Sequence, residues 1–204
     1  MKVLLINGSP NEKGCTFNAL QEVEKTLNAQ GVDTELFWIG REPIAGCLGC
    51  DGCAKTHRCV TDDAVNRALE KAGKCDGYVL GSPVHYAGIA GNFKSFLDRF
   101  FWVGGHALKP GAAVVSARRA GASATLDGLN KYFTIAQMPV VSSQYWNMVH
   151  GMEAPDTAQD GEGLQTMRVL ARNMAWLLKS IQAGRDAGVP LPKKEPRIAT
   201  NFVR

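Results

Sequence analysis

The sequence predicts an α/β fold, a five-stranded parallel sheet between two layers of helices. Two observations predict it. Apolar runs of strand length alternate five times with segments whose apolar residues step by three and four, the pattern of strands buried on both faces and joined by crossover helices. A turn bearing Gly, Ser and Pro follows the first run, where such folds place a ligand loop. Right-handed crossovers then give the strand order 2-1-3-4-5, with the ligand site outside the carboxyl ends of strands one and three.

The elements follow in order. Val3, Leu4, Leu5 and Ile6 form the first strand, and the loop over residues 8–16 follows it. Phe17, Leu20, Val23 and Leu27 step at helical spacing until Gly31 stops them. Residues 33–39 are a second strand, carried by Leu36, Phe37, Trp38 and Ile39. Thr61, Asp62 and Asp63 open a helix with acceptor side chains and negative charge at its amino end, and Gly73 closes it. Residues 77–81 are a third strand, followed by a loop over 82–91. Phe93, Phe96, Leu97 and Phe100 then mark a strongly apolar helix. Residues 112–116 are a fourth strand, 125–137 a helix and 139–143 a short fifth strand. Residues 145–160 show no periodicity, which in a compact domain marks a functional or interface loop. Leu164, Met167, Leu170, Met174, Leu177 and Ile181 form the stripe of a last helix, which ends near Gly184–Gly188 before a Pro-rich tail.

With 204 residues, 45% of them hydrophobic and 21% charged, the chain reads as one domain over 1–189 with a tail over 190–204. No run approaches the roughly 18 apolar residues of a membrane helix. Asn7-Gly8 interrupts the first apolar run far too early for a signal peptide. A cytoplasmic location without membrane attachment is the expectation. The net charge is +4, but basic residues are dispersed, with Arg118-Arg119 and Lys193-Lys194 the only pairs. Without a basic stripe interleaved with aromatics, a nucleic-acid partner is not expected.

The loop after the first strand is Ser9-Pro10-Asn11-Glu12-Lys13-Gly14-Cys15-Thr16. It is neither G-x-G-x-x-G nor G-x-x-x-x-G-K-[ST], so it matches neither the dinucleotide fingerprint nor the P-loop. Ser9, Asn11 and Thr16 offer hydroxyl and amide donors, and the helix amino terminus adds peptide N–H groups and a dipole that favours an anion. A capped turn that binds nothing is the plain alternative. At the predicted switch point stands Gly81-Ser82-Pro83-Val84-His85-Tyr86-Ala87-Gly88, with the small and flat side chains that a planar ring requires.

Together with Asn92-Phe93-Lys94-Ser95-Phe96-Leu97-Asp98-Arg99, these two loops resemble the NADPH-dependent FMN reductases of the flavodoxin-like fold. The likeness runs from residue 1 to about residue 145. It implies that FMN is the cofactor and that no protein side chain is the catalyst, since the flavin carries the chemistry. Ser9, Asn11, Cys15 and Thr16 would then surround the phosphate. Pro83, Val84, His85, Tyr86 and Gly88 would flank the isoalloxazine. Ser116, Ala117 and Arg118 would face its pyrimidine end. The sequence departs from the family pattern at Asn11, where Arg is frequent, at Cys15, where Asn or Ser is common, and at His85, where Tyr is frequent. Arg118 and Arg119 are candidates for the NADPH 2′-phosphate.

Six cysteines stand at 15, 47, 50, 53, 59 and 75. In a cytosolic α/β protein the crowding of four within 46–60 favours metal, iron–sulfur or redox chemistry over disulfides. Cys47-x2-Cys50-x2-Cys53-x5-Cys59 echoes the ferredoxin run that binds a cubane, without the trailing Pro. Gly46, Gly49 and Gly52 precede three of them and free the backbone to curl. The arrangement resembles that of the iron–sulfur flavoproteins of the same family, which implies a 4Fe–4S cluster. A structural zinc, a redox dithiol at Cys50 and Cys53 and four simply packed thiols remain open beside it. Cys75 reads as a core residue.

Three functions from different classes follow. One is an oxidoreductase passing electrons from NAD(P)H to flavin, quinone or another small acceptor. The second is an iron–sulfur flavoprotein exchanging electrons with a ferredoxin-like partner. The third is a non-catalytic flavodoxin-like binding protein. A homodimer or homotetramer is expected, because the helix 93–101 with Trp102 carries more apolar surface than one sheet face covers. The loop Gln144-Tyr145-Trp146-Asn147-Met148-Val149 also has the aromatic and Met content of an interface core.

Overall fold

The computed structural model describes residues 1–196 and 198–200. The chain runs β1 (Lys2–Asn7), α1 (Cys15–Ala29), β2 (Asp33–Trp38), α2 (Cys53–Thr56), α3 (Ala64–Ala72), β3 (Gly77–His85), β4 (Gly88–Ile89), α4 (Gly91–Val103), β5 (Gly111–Ala117), α5 (Ala122–Ile135), β6 (Met148–His150), α6 (Ala154–Thr157) and α7 (Gly161–Asp186). The parallel strands lie in the order β2-β1-β3-β5-β6, and β4 folds back on β3 as a hairpin arm. Leaving that arm aside, the order is the one the alternation predicts.

Alternation along the strands divides the core in two. Leu4, Ile6, Tyr78, Leu80, Ala113 and Val115 face one helical layer, where Phe93, Phe96, Phe100 and Phe133 are fully buried. Val3, Leu5, Val79 and Val114 face Leu20, Val23, Leu27, Met167, Leu170 and Met174 of α1 and α7. The stripe expected on α7 is thus real, although Leu164 and Ile181 at its ends are only half-buried. α3 starts where the sequence placed its cap, with Asp63 Oδ1 accepting from Val65 N at 2.9 Å. Among the described residues, no helix is long and apolar enough to cross a membrane.

Three expectations need correction. The fifth strand is Met148–His150, paired with β5 through Val115↔Met148 and Ser116↔Val149. The predicted run 139–143 contributes only one isolated bridge, Gly111↔Val140. Its β-branched residues suit a strand, but just past that bridge the chain is tied to α7 instead, with Ser142 O accepting from Asn173 Nδ2 at 2.9 Å and Ser143 Oγ donating to Thr166 O at 2.7 Å. The aperiodic stretch 145–160 therefore holds β6 and α6. The third strand runs on to His85, beyond the expected end at residue 81. Finally, the chain's own core covers Phe93, Phe96, Leu97 and Phe100 completely, so α4 supplies no ground for self-association apart from Trp102, which is mostly exposed. Of the tail expected over 190–204, residues 190–196 carry no helix or strand. Residues 197 and 201–204 lie outside the described residues.

A buried polar group sits away from the carboxyl ends of the strands. His106 Nε2 bonds the Phe100 carbonyl at 3.0 Å, which requires the proton on Nε2 and leaves Nδ1 facing the Tyr78 hydroxyl at 3.3 Å. Lys109 Nζ donates to the same hydroxyl at 3.0 Å. Burial holds the His106 imidazole below its ordinary value of 6.5; the bond to Phe100 opposes that shift and the Lys109 charge adds to it. Unfolded His106 therefore binds its proton at a higher pH than folded His106. Its contribution to stability is complete above about pH 6.5 and declines as pH falls below that value. Unfolding midpoints measured from pH 8 to pH 5 should fall, and His106→Asn should flatten part of that fall.

Candidate functional site

Asn7, fully buried at the end of β1, builds the loop that follows. Its Oδ1 accepts from Ser9 N at 3.0 Å and its Nδ2 donates to Glu12 O at 2.9 Å. Ser9 Oγ then accepts from Asn11 N at 3.1 Å. From outside the loop, Trp38 Nε1 holds Ser9 O at 2.8 Å and Arg41 Nε holds Pro10 O at 2.9 Å. Gly8 N donates to Gly81 O at 2.8 Å, which ties the loop to β3. The helix α1 begins at Cys15 with Gly14 as its N-cap and no capping side chain. Its first-turn N–H groups are thus free to meet an anion.

This loop is one wall of a cavity of about 430 Å³ at the carboxyl ends of the strands. Ser9, Asn11, Lys13, Gly14, Cys15 and Thr16 form that wall. Pro83, Val84 and His85 come from the end of β3, and Ser116, Ala117 and Arg118 from the end of β5. Gly151, Met152, Glu153 and Ala154, after β6, close the far side. Thr16 Oγ1 and Ser116 Oγ lie 2.8 Å apart and join the loop to β5. Burial pushes the Cys15 thiol up, so it stands beside an anion site as a neutral group.

Ten of the twelve residues expected around the cofactor line this cavity. Tyr86 and Gly88 do not. Tyr86 sits at the tip of the β3–β4 hairpin with φ +57° and its side chain fully exposed, while Gly88 pairs with His85 in the arm. The tight hairpin turns the Tyr86 ring outward.

The sequence reading missed Lys13, Gly14 and the whole wall 151–154. The first two belong to the phosphate loop it had already marked. The wall had one local signal, Glu153-Ala154-Pro155-Asp156, a reciprocal capping box with Pro in the first turn of α6. Its docking is long-range: Asn18 Nδ2 donates to Ala154 O at 2.6 Å and to Thr157 Oγ1 at 2.9 Å.

A second, smaller pocket, of about 20 Å³, is lined by Cys47, Cys50, Cys53 and Cys59 together with Leu48, Val60, Arg99 and Trp102. All six cysteines are unpaired. Gly49 and Asp51 take positive φ, which curls the segment, and α2 carries Cys53 at its start. Burial pushes the Cys53 thiol up, and repulsion from Cys59, Cys47 and Cys50 adds to it. Among the described residues, no three His, Cys, Asp or Glu side chains stand close enough to share a single metal ion. In a cubane each thiolate binds a different iron, so its ligands stand farther apart than those of one ion. Four soft thiolate donors on one pocket, mutually repelling and beside the Arg99 cation, are a donor set that such a group fits. Cys75 is buried in the core.

The family described as NADPH-dependent FMN reductase matches residues 1–153. An iron–sulfur flavoprotein of Methanocaldococcus jannaschii is 30% identical over 192 residues, covering 89% of this chain and 100% of that one. A second iron–sulfur flavoprotein of the same organism is 27% identical over 196 residues, covering 88% and 98%. Among solved structures, a flavodoxin from the domain Archaea aligns with TM-score 0.61 at 14% identity, covering 88% of this chain and 99% of that one. At that identity the likeness concerns the fold.

Proposed function

Because the chain belongs to the NADPH-dependent FMN reductase family, in the company of iron–sulfur flavoproteins, and is an FMN-dependent oxidoreductase, we propose that it couples FMN to a 4Fe–4S cluster held by Cys47, Cys50, Cys53 and Cys59. The observation that carries this reading is the convergence of those four cysteines on one pocket, separate from the cavity that suits a phosphate-bearing flavin. When bound, FMN supplies hydride acceptance and release of electrons singly or in pairs.

In this reading Ser9, Asn11, Thr16 and the uncapped first turn of α1 hold the phosphate. Lys13 adds a cation at the mouth, in place of the Arg that the family often carries at position 11. Pro83, Val84 and His85 would flank the ring, and Ser116, Ala117 and Arg118 would face its polar end. Tyr86 faces solvent, where it meets a second substrate or another chain rather than the buried ring. The helix α4 starts beside the β3–β4 hairpin and brings Arg99 and Trp102 to the cysteine pocket. Those residues lie eight to eleven positions after Gly91, about 12–17 Å along the helix axis. One helix thus links the β3–β4 hairpin to the cysteine pocket within one chain.

Electrons enter from NAD(P)H, with Arg118 at the cavity edge as the contact for its phosphate. They leave singly to a ferredoxin-like protein. Six unpaired thiols fit a reducing cytoplasm. The mostly exposed Tyr145, Trp146 and Trp102 support self-association, and light scattering at micromolar concentration should give a dimer or tetramer.

Anaerobic purification and reconstitution test the central claim. About four iron and four sulfide per chain, with a broad absorbance beneath the flavin peaks, are the expected result. Cys50→Ser should remove most of the iron while leaving the flavin bound. Flavin peaks alone after careful reconstitution would sink the cluster. In that case bleaching of the flavin by NADPH supports a second reading, an NAD(P)H-dependent reductase of flavin, quinone or another small acceptor. The match of residues 1–153 to the NADPH-dependent FMN reductase family supports that alternative.

A further inference from the structure

Arg99 has no role in the flavin cavity, yet it is one of the most completely engaged side chains in the molecule. It lies in α4 and is only 2% exposed. Its Nε donates to Cys59 Sγ at 3.2 Å. Nη1 donates to Asp63 Oδ2 at 2.6 Å and to Ala45 O at 3.3 Å. Nη2 donates to Thr61 O at 2.8 Å and to Asp63 Oδ1 at 3.1 Å. The fork on Asp63 is bidentate, the geometry in which Arg outperforms Lys.

The placement of these partners matters more than their number. Ala45 precedes the first cysteine of the segment, whereas Cys59, Thr61 and Asp63 include and follow the last. One buried guanidinium therefore holds both ends of the cysteine loop against α4. Asn66 completes the hold on Cys59, accepting from its N–H at 2.9 Å and donating to its carbonyl at 3.0 Å. Cys59 is thus fixed at its backbone and its sulfur, while Cys47 and Cys50 are exposed on the same loop. Burying a charge is costly, and a helix that needed only packing at this position would carry Leu or Met. The partners that offset that cost all belong to the loop and its exit.

We propose that Arg99 is the positioning residue of the cysteine pocket. It clamps the two ends of the loop and sets Cys59 as the fixed ligand on which the other three cysteines close. The consequence for iron rests on the cluster reading above, whereas the clamp can be measured without iron.

The experiment compares the full chain with bound FMN as wild type, Arg99→Lys, Arg99→Gln and Asp63→Asn. Amide hydrogen exchange is read before metal is added, and iron, sulfide and the reduced-state EPR spectrum are read after anaerobic reconstitution. Arg99→Gln should speed exchange over residues 45–63 by about tenfold or more while α7 and the central strands keep wild-type rates. Its iron content should fall below about half of wild type. Lys restores the charge without the fork, so Arg99→Lys should recover part of the iron and give an altered EPR spectrum. Unchanged exchange over 45–63 in Arg99→Gln overturns the clamp. Should Arg99→Gln fail to fold, Arg99→Lys and Asp63→Asn decide, and wild-type loop exchange in both overturns it equally. Loosened exchange with no iron in any protein, wild type included, overturns the cluster reading and upholds the clamp.

Discussion

Gly8→Ala should destabilise the protein by about 2–3 kcal/mol, Phe93→Ala by about 3–5 kcal/mol, and the double variant by clearly less than their sum. A Cβ on Gly8 would stand 2.1 Å from Phe93 Cγ and 2.2 Å from its Cδ1. Neither side can yield cheaply. Phe93 is fully buried and stacked on Phe96 with ring centroids 5.8 Å apart. Gly8 is pinned to β3 through its bond to Gly81 O. The Gly8→Ala variant must therefore displace either α4 or the start of the ligand loop. Removing the Phe93 ring leaves a cavity, and the methyl group that Gly8→Ala adds fills a small part of it. Denaturant unfolding of the four proteins gives the coupling directly. Strict additivity would show that the two residues do not touch.

Thr16→Val should weaken FMN binding about 10- to 100-fold, because hydrogen bonds to charged groups contribute about 1.5–3 kcal/mol, and should lower stability by about 1 kcal/mol through the lost bond to Ser116 Oγ. Val keeps the shape of Thr but removes the hydroxyl. Thr16 is buried at the cavity wall, and its Oγ1 has Ser116 Oγ as its protein partner at 2.8 Å. That contact orients the Thr16 hydroxyl at the amino end of α1, where a phosphate would receive it. Lys13 is exposed, so Lys13→Ala should cost only a few-fold, and less as salt is raised. Titration of FMN fluorescence at two ionic strengths separates the two. A larger loss for Lys13→Ala than for Thr16→Val would place the phosphate on the lysine charge rather than on the Thr16 hydroxyl.

Much of the fold could be read locally. Continuous apolar runs mark β1, β3 and β5 because both faces of each strand are covered. Asp63 announces α3 because a cap works through neighbouring residues. The loop 9–16 was recognisable from its position after β1 and from its donors. What failed did so for a shared reason. Residues 139–143 have strand composition, but Ser142 and Ser143 are tied to α7, which no local window contains. The helix α4 looked too apolar for one sheet face because the cover supplied by Tyr132 and Phe133 of α5 is invisible along its own sequence. The sequence around Tyr86 likewise carries no sign that the hairpin fixes its φ at +57° and turns its side chain to solvent.

The α/β class, the strand order, the position of the donor-bearing loop after β1 and the set of four clustered cysteines are legible in the sequence. Each of these follows from period, cap or spacing, and each acts over a few residues. It took the packed molecule to bring residues 151–154 to the wall of the cavity at the carboxyl ends of the strands, where Asn18 holds Ala154 from 136 positions away. The same packing brought Arg99 against Cys59, 40 positions away. Such contacts depend on how separate elements pack, and packing is settled by the whole core at once rather than by any segment of it.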